Sequence, residues 1–279
     1  MVVESRVFDA LGWSFSLASE DAQVVEYVHS LYRGLGDGDG AAAHRYRVEP
    51  SPEDDGMTLL TLDGDRVSAD VDPSMLVMTL VHDVNRHVID STELLAAHAG
   101  GVVGAHGAVV MPAQMESGKT TLTAGLVRAG FGYVTDEAVA FDWDTLRIVA
   151  YPKPLSIDPG AWPLFPELEP DAPFEGTGYK QTQWQVAADD IRDGAVVPGS
   201  TARHLVFPKY EPDSSTELVP LGRAEALVEL AKNTFHFRYR GRRALATLAQ
   251  IVETVDCYRM SVGDLDTAVA LIEDLAGSR

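Results

Sequence analysis

Between Met111 and Asp142 the chain reads MPAQMESGKTTLTAGLVRAGFGYVTDEAVAFD. Its "SGKTT" has the tail of a phosphate-binding loop, G-x-x-x-x-G-K-[ST]. In such a loop a strand ends, backbone N–H groups wrap phosphate oxygens, and a helix opens with its positive end towards them. The lysine pairs with the outer phosphates and the next hydroxyl holds Mg²⁺. The nucleotide-binding run is then Ala113, Gln114, Met115, Glu116, Ser117, Gly118, Lys119, Thr120 and Thr121. Two glycines common in these loops are absent, with Ala113 at the first and Glu116 at the second. A carboxylate near bound phosphate repels it, so Glu116 has to point outwards, bind a cation or meet an acceptor. The competing reading is a plain helix start, with Ser117 serving only as its cap.

Further residues stand at useful spacings. Asp136 lies seventeen positions after Lys119, and Glu137 follows it. Paired acids at a strand end beside phosphates can hold Mg²⁺ and accept a hydroxyl proton. The competing reading is a strand-ending turn with solvated acids. His98 lies fifteen positions before Ala113, in the strand ahead of the loop. A histidine there serves equally well as a satisfied core residue.

These residues need a strand, a loop, a helix and a second strand to bring them together, and the pattern supplies all four. "LLAAHAGGVVGAHGAVVMP" reads as two strands joined by "GAHG", followed by a helix over 118–129 and a strand at "FGYVT". "AVAFDWDTLRIVAYP" reads as a hairpin, and the sheet edge holding Asp136 and Glu137 as the end of parallel strands, where α/β folds bind ligands. The stretch 152–173 is too rich in proline for regular structure. Beyond it come a strand "ARHLVFPKY", helices over 223–232 and 240–255, a strand "CYRMSV" and a last helix opened by Asp264. Upstream, "GWSFSLAS", "HRYRVEP", "MTLLTLDG" and "DRVSADV" read as strands. Helices are expected after Asp21 and from Asp72-Pro73. The change of texture near residue 92 divides the chain into an N-terminal α/β domain, 1–91, and a loop-bearing domain, 92–279. His29, His82 and His87 fall on the upstream helices without partners for a metal and read as packing or surface residues.

Composition narrows the partners. Acidic residues number 42 against 22 basic, a net charge of −20, and such a surface repels a polyanion. Nucleic acid is therefore not an expected partner. The basic residues form one cluster, "FRYRGRR". No segment is apolar for long enough to span a bilayer, and "MVVESRVFDALGW" is not a secretion signal. With a single cysteine, Cys257, there is no internal disulfide, and a reducing, cytoplasmic setting is expected.

Taken in order, "HAGGVV", "PAQMESGKTTLTAGLVRAGFGYVTDEAVAFD" and, more faintly, "YPKPLSI", "ARHLVFPKY" and "CYRMSVGDLDTAVALI" resemble the catalytic domain of HPr kinase/phosphorylase and its shorter relatives. That family shares a phosphate-loop fold with phosphoenolpyruvate carboxykinase. His98, Lys119, Thr120, Arg128, Gly130, Asp136 and Glu137 match in order. The resemblance implies a mixed α/β sheet of this type, with ATP and Mg²⁺ used to phosphorylate a hydroxyl. It implies that Lys119 grips phosphates, that Thr120 and Glu137 contact the metal, and that Asp136 is the base. His98 would lie near the transferred group, and Lys153 would contact a phosphate. The implied acceptor is a serine of a peptide or protein, or a small molecule, though not HPr itself. Homo-oligomers occur in the family, but no assembly motif is legible here. Ala113, Glu116 and Glu137 depart from the family pattern, which keeps open an alternative: an inactive module that binds nucleotide or peptide.

Overall fold

The structure, a computed structural model, describes residues 1–170 and 183–277. Along the chain run β1 (Val3–Glu4), β2 (Phe8–Ala10), β3 (Trp13–Ser19), α1 (Ala22–Leu31), β4 (Gly36–Asp37), β5 (His44–Pro50), β6 (Thr58–Leu62), β7 (Asp65–Arg66) and α2 (Leu76–Ser91). Next come β8 (Leu95–Gly104), β9 (Gly107–Pro112), α3 (Lys119–Arg128), β10 (Gly132–Thr135), β11 (Ala138–Phe141), β12 (Ile148–Val149) and β13 (Leu155–Ile157). The remainder is β14 (Trp184–Val186), α4 (Ala188–Ile191), β15 (Ala202–Tyr210), β16 (Glu217–Pro220), α5 (Arg223–Lys232), α6 (Phe237–Thr254), β17 (Asp256–Val262) and α7 (Leu265–Gly277).

Two compact units result. The first joins Met1–Thr92 with Lys153–Asp190, and the second joins Glu93–Pro152 with Ile191–Arg279. The sequence reading put the division near residue 92 and gave the whole of 92–279 to the second domain, whereas this division places Lys153–Asp190 with the first unit. Part of the reason is visible in charge and burial. Arg33 pairs with Asp190, its Nη2 2.5 Å from Oδ1, and His82 lies within the fields of Lys153 and Asp158. The proline-rich stretch is also more regular than its composition suggests. It holds β13 and two 3₁₀ turns, Pro159–Leu164 and Pro166–Leu168, in which prolines occupy the first helical positions that need no N–H. The part of that stretch from 171 to 173 lies outside the described residues.

In the first unit seven strands form a mixed sheet in the order β4-β2-β3-β5-β6-β7, with β1 on β3. Asp21 caps α1, accepting from Gln23 N–H at 2.9 Å. The helix turns Val24, Val25, Val28 and Leu31 inwards. His87 of α2 stacks on Trp13 at 5.4 Å, and His29 of α1 meets Phe8 edge-on at 6.1 Å.

The second unit is built on a mixed sheet of eight strands, in the order β12-β11-β8-β9-β15-β17-β16 with β10 also on β8. The sequence reading placed the acid pair at the edge of a parallel sheet; β10 and β11 instead pair antiparallel with β8. Only β9, β15 and β17 pair in parallel. Because β8 runs opposite to β9, β10, β11 and β15, those four strands still share one direction. Ends of strands therefore converge on one rim. β8 is long enough to carry both short strands end to end: β10 opposite 101–103 and β11 opposite 95–98. The break between them is Asp136-Glu137.

Small residues let α3 approach this sheet. A Cβ on Gly100 would lie 2.5 Å from the Thr123 hydroxyl oxygen of α3. On its other side a Cβ on Gly125 would press Leu265 and Val269 of α7, both at 3.1 Å. The opposite face of the sheet buries Leu205, Phe207, Ala226, Leu230, Leu248 and Ile251 against α5 and α6. Cys257 lies in that core as a buried small hydrophobe.

Candidate functional site

The loop 113–118 leaves β9 at the shared rim and enters α3. Ala113 is buried, does not have a positive φ, and anchors the loop by donating its N–H to His98 O at 3.3 Å. A methyl group is therefore compatible with the position of the first missing glycine. At the second missing glycine the backbone is left-handed, with φ +62° at Glu116. Glycine favours that region, while a residue with a Cβ pays about 1–2 kcal/mol there. The Glu116 side chain is exposed. Gly118, the residue before α3, is left-handed as well, at φ +84°. Left-handed residues of this kind roll successive N–H groups towards a common concave side, the arrangement that receives anions.

Within the loop Lys119 is 6% exposed and its ammonium donates to Gln114 O at 2.8 Å. Burial lowers its pKa, while Glu137 and Asp136 act against that shift. The Ser117 hydroxyl oxygen is buried with no hydrogen-bond partner among the described residues. Thr121 follows in the first turn of α3, and Met115 projects into solvent.

Thr120 and Asp136 meet. The threonine hydroxyl donates to Asp136 Oδ2 at 3.0 Å, and the Tyr133 phenol donates to Oδ1 at 3.1 Å. Asp136 is 1% exposed. Burial, and next the charge of Asp136, raises the Tyr133 pKa well above its ordinary value, so the phenol keeps its proton and remains a donor. Glu137 is turned elsewhere. Its Oε1 lies 3.5 Å from His98 Nε2, too far for a strong hydrogen bond. Its backbone carbonyl accepts from Ala99 N–H at 3.0 Å, bridging the break between β10 and β11. Thr135 supports the turn by accepting from the N–H groups of Glu137 and Ala138.

Burial drives the His98 pKa down to about 4; the Lys119 charge adds to this and Asp136 opposes it. The imidazole is therefore neutral near pH 7. One residue of this cluster escaped the sequence reading. Asn233, at the end of α5, accepts from the Gln114 side-chain amide at 2.8 Å through Oδ1. Its backbone O accepts from His98 N–H at 2.6 Å. Nothing in "LAKNTFHF" marks it, since only the fold brings α5 against the loop.

The structure thus brings His98, residues 113–121, Asp136 and Glu137 together. Lys153 falls in the first unit, where it is 3% exposed and donates to Pro154 O at 2.7 Å. Together with the larger effect of burial, its charge holds His82 below the ordinary histidine pKa. Among the described residues no group of three or more His, Cys, Asp or Glu is placed to hold a metal. A Mg²⁺ bound through a hydroxyl, one carboxylate and phosphate oxygens needs no such group. Nor is any helix among them long and apolar enough to cross a membrane. No protein-family model matches the chain, and no curated protein matches it.

Two outcomes follow from the geometry. His98 titrates near 4 in the fold and near ~6.5 when unfolded. As pH falls through that window the unfolded chain gains a proton that the folded one refuses, so stability drops; above it, His98 contributes nothing to pH dependence. His98→Asn is expected to lessen the acid loss between pH ~6.5 and ~4 by up to about 3 kcal/mol in urea titrations. Equal slopes for both proteins would show that the buried neutral imidazole is misassigned.

Glu116→Gly places the residue preferred at a left-handed position, offset by the greater freedom of glycine in the unfolded chain. Its unfolding free energy should match or exceed that of the parent. A loss above about 1 kcal/mol would mean that the Glu116 side chain helps hold the loop.

Proposed function

We propose that the second unit is a kinase of the HPr-kinase-like phosphate-loop type, moving the terminal phosphoryl group of Mg-ATP to a hydroxyl of a peptide or small molecule. The observation that carries the reading is the Thr120–Asp136 contact at the mouth of the loop. A hydroxyl and a carboxylate at 3.0 Å beside a lysine make a small, hard-cation pocket next to a phosphate cradle. The orphaned Ser117 hydroxyl fits the same ligand, since a buried donor without a partner is costly until an acceptor oxygen arrives.

Bound Mg-ATP would supply an activated phosphoryl group and a cation that neutralises charge as it transfers. The residues divide the remaining tasks. The loop amides and Ser117 hold phosphate oxygens. Lys119 exchanges the Gln114 carbonyl for a phosphate. Thr120 and Asp136 hold the cation through their oxygens. Glu137, with its side chain 30% exposed, is the acid better able to reach an incoming hydroxyl and take its proton. These roles exchange those given to the two acids by the family resemblance. The reason is geometric: Asp136 is buried and already accepts two hydroxyl hydrogen bonds. His98, neutral beside Glu137, orients that carboxylate without adding charge.

Mg-ATP is expected to raise the thermal midpoint of the parent protein, because a ligand bound only to the native state stabilises it by mass action. Lys119→Ala should remove the shift and leave the unliganded midpoint close to that of the parent. Asp136→Asn should weaken the Mg²⁺-dependent part of nucleotide binding. Glu137→Gln should keep binding but lower phosphoryl transfer by about 10²-fold or more. No shift of the parent at millimolar Mg-ATP would overturn the reading, and transfer lost in Asp136→Asn with nucleotide binding intact would restore the original roles.

A further inference from the structure

We infer that the kinked first turns of α6 are the docking surface for an acidic segment of the acceptor polypeptide, an inference that rests on the kinase reading above. Its residues are Arg238, Tyr239, Arg240, Arg242 and Arg243. Four arginines within six positions form the densest basic stretch in a chain of net charge −20. An acidic partner is repelled by most of such a surface and attracted at this stretch. Because charges more than a Debye length away, about 8 Å at physiological salt, are screened, the local patch decides where contact is made.

The patch is built rather than merely exposed. Arg243 lies over the Trp143 ring at 4.4 Å and Arg240 over the same ring at 5.6 Å. The Trp143 indole N–H donates to Glu93 O at 2.6 Å, and Arg240 Nη1 donates to the same carbonyl at 3.1 Å. Two of the cations are thereby held in place. The nearby Asp142 turns its carboxylate onto the Thr145 N–H and hydroxyl instead of onto the arginines. Arg238 and Arg242 are exposed and, among the described residues, have no hydrogen-bond or ion-pair partner. Tyr239 stands between them, 92% exposed. Gly241 breaks the helix at φ +58°, ψ −131°, so the residues on its two sides do not lie along one continuous helix face.

Position ties the patch to the site. The Phe235 ring lies 5.7 Å from that of His98, and Phe235 N–H donates to Ala96 O. Arg238 is three residues further on, so the two Cα atoms are at most about 11 Å apart. A polypeptide with acidic residues close to its acceptor hydroxyl could occupy both places. Arginine suits the task, because its planar fork pairs with carboxylates through two parallel hydrogen bonds.

The test is fluorescence anisotropy of a short labelled poly-aspartate peptide with the full chain, at about 0.05 M and about 0.2 M salt. Binding is expected, weaker at the higher salt, and reduced about tenfold or more by the double substitution Arg238→Glu/Arg242→Glu. The thermal shift given by Mg-ATP should be the same in parent and variant. Since peptide binding needs no nucleotide, failure of the kinase reading would appear as a missing Mg-ATP shift with peptide binding intact. The docking inference is overturned if the peptide does not bind, or binds parent and variant alike. It is equally overturned if single-stranded DNA, or vesicles containing phosphatidylserine, bind at this patch in preference to the peptide.

Discussion

One hydrogen bond fastens the loop-bearing helix to the sheet at the place where chemistry is expected: Thr120 to Asp136, at 3.0 Å. Much of the second unit can be understood as what that contact requires. Asp136 has to be buried at a strand end, so β10 stops at Thr135 and the chain breaks before β11. The break leaves backbone groups that need partners, and Thr135 and Ala99 provide them. Thr120 has to reach the rim from the first turn of α3, so that helix must lie close to the sheet. Gly100 permits that approach, because a side chain there would strike Thr123.

The electrostatics follow from the same crowding. Lys119 and His98 share a poorly hydrated place beside Asp136 and Glu137: the ammonium presses the His98 pKa down, and the two carboxylates hold the Lys119 pKa up against burial. Burial, and next the charge of Lys119, keeps His98 neutral against the opposing pull of Asp136. Lys119 meanwhile rests on the Gln114 carbonyl, and Gln114 is in turn held by Asn233. Two hydrogen bonds, one from Lys119 and one to Asn233, thus fix Gln114 within the loop.

Much of this was legible in the sequence, for reasons that differ from residue to residue. The order strand, loop, helix, strand could be read from hydrophobic period and glycine placement around residues 95–135. The capping aspartates Asp21 and Asp264 announced their helices, each accepting from an N–H two or three positions on. The different directions taken by the Asp136 and Glu137 side chains were not legible. Adjacent residues at a strand end can face either way, and the direction is set by the two-strand edge along β8. Asn233 was hidden for a related reason: its role depends on a contact 119 positions distant in the chain. The regular structure within 153–170, a short strand and two 3₁₀ turns, was not legible because none of it shows a periodicity long enough to be recognised. The left-handed backbone at Glu116 explains why glycine is usual there, yet it could not be inferred from a glutamate.

The central claim is that residues 113–118 are a phosphate cradle, and amide hydrogen exchange with and without Mg-ATP tests it most directly. Slowed exchange at the amides of this loop and the first turn of α3, with the sheet core unchanged, is the expected result. Unaltered exchange in the loop at saturating Mg-ATP, or protection confined to another part of the chain, would contradict it.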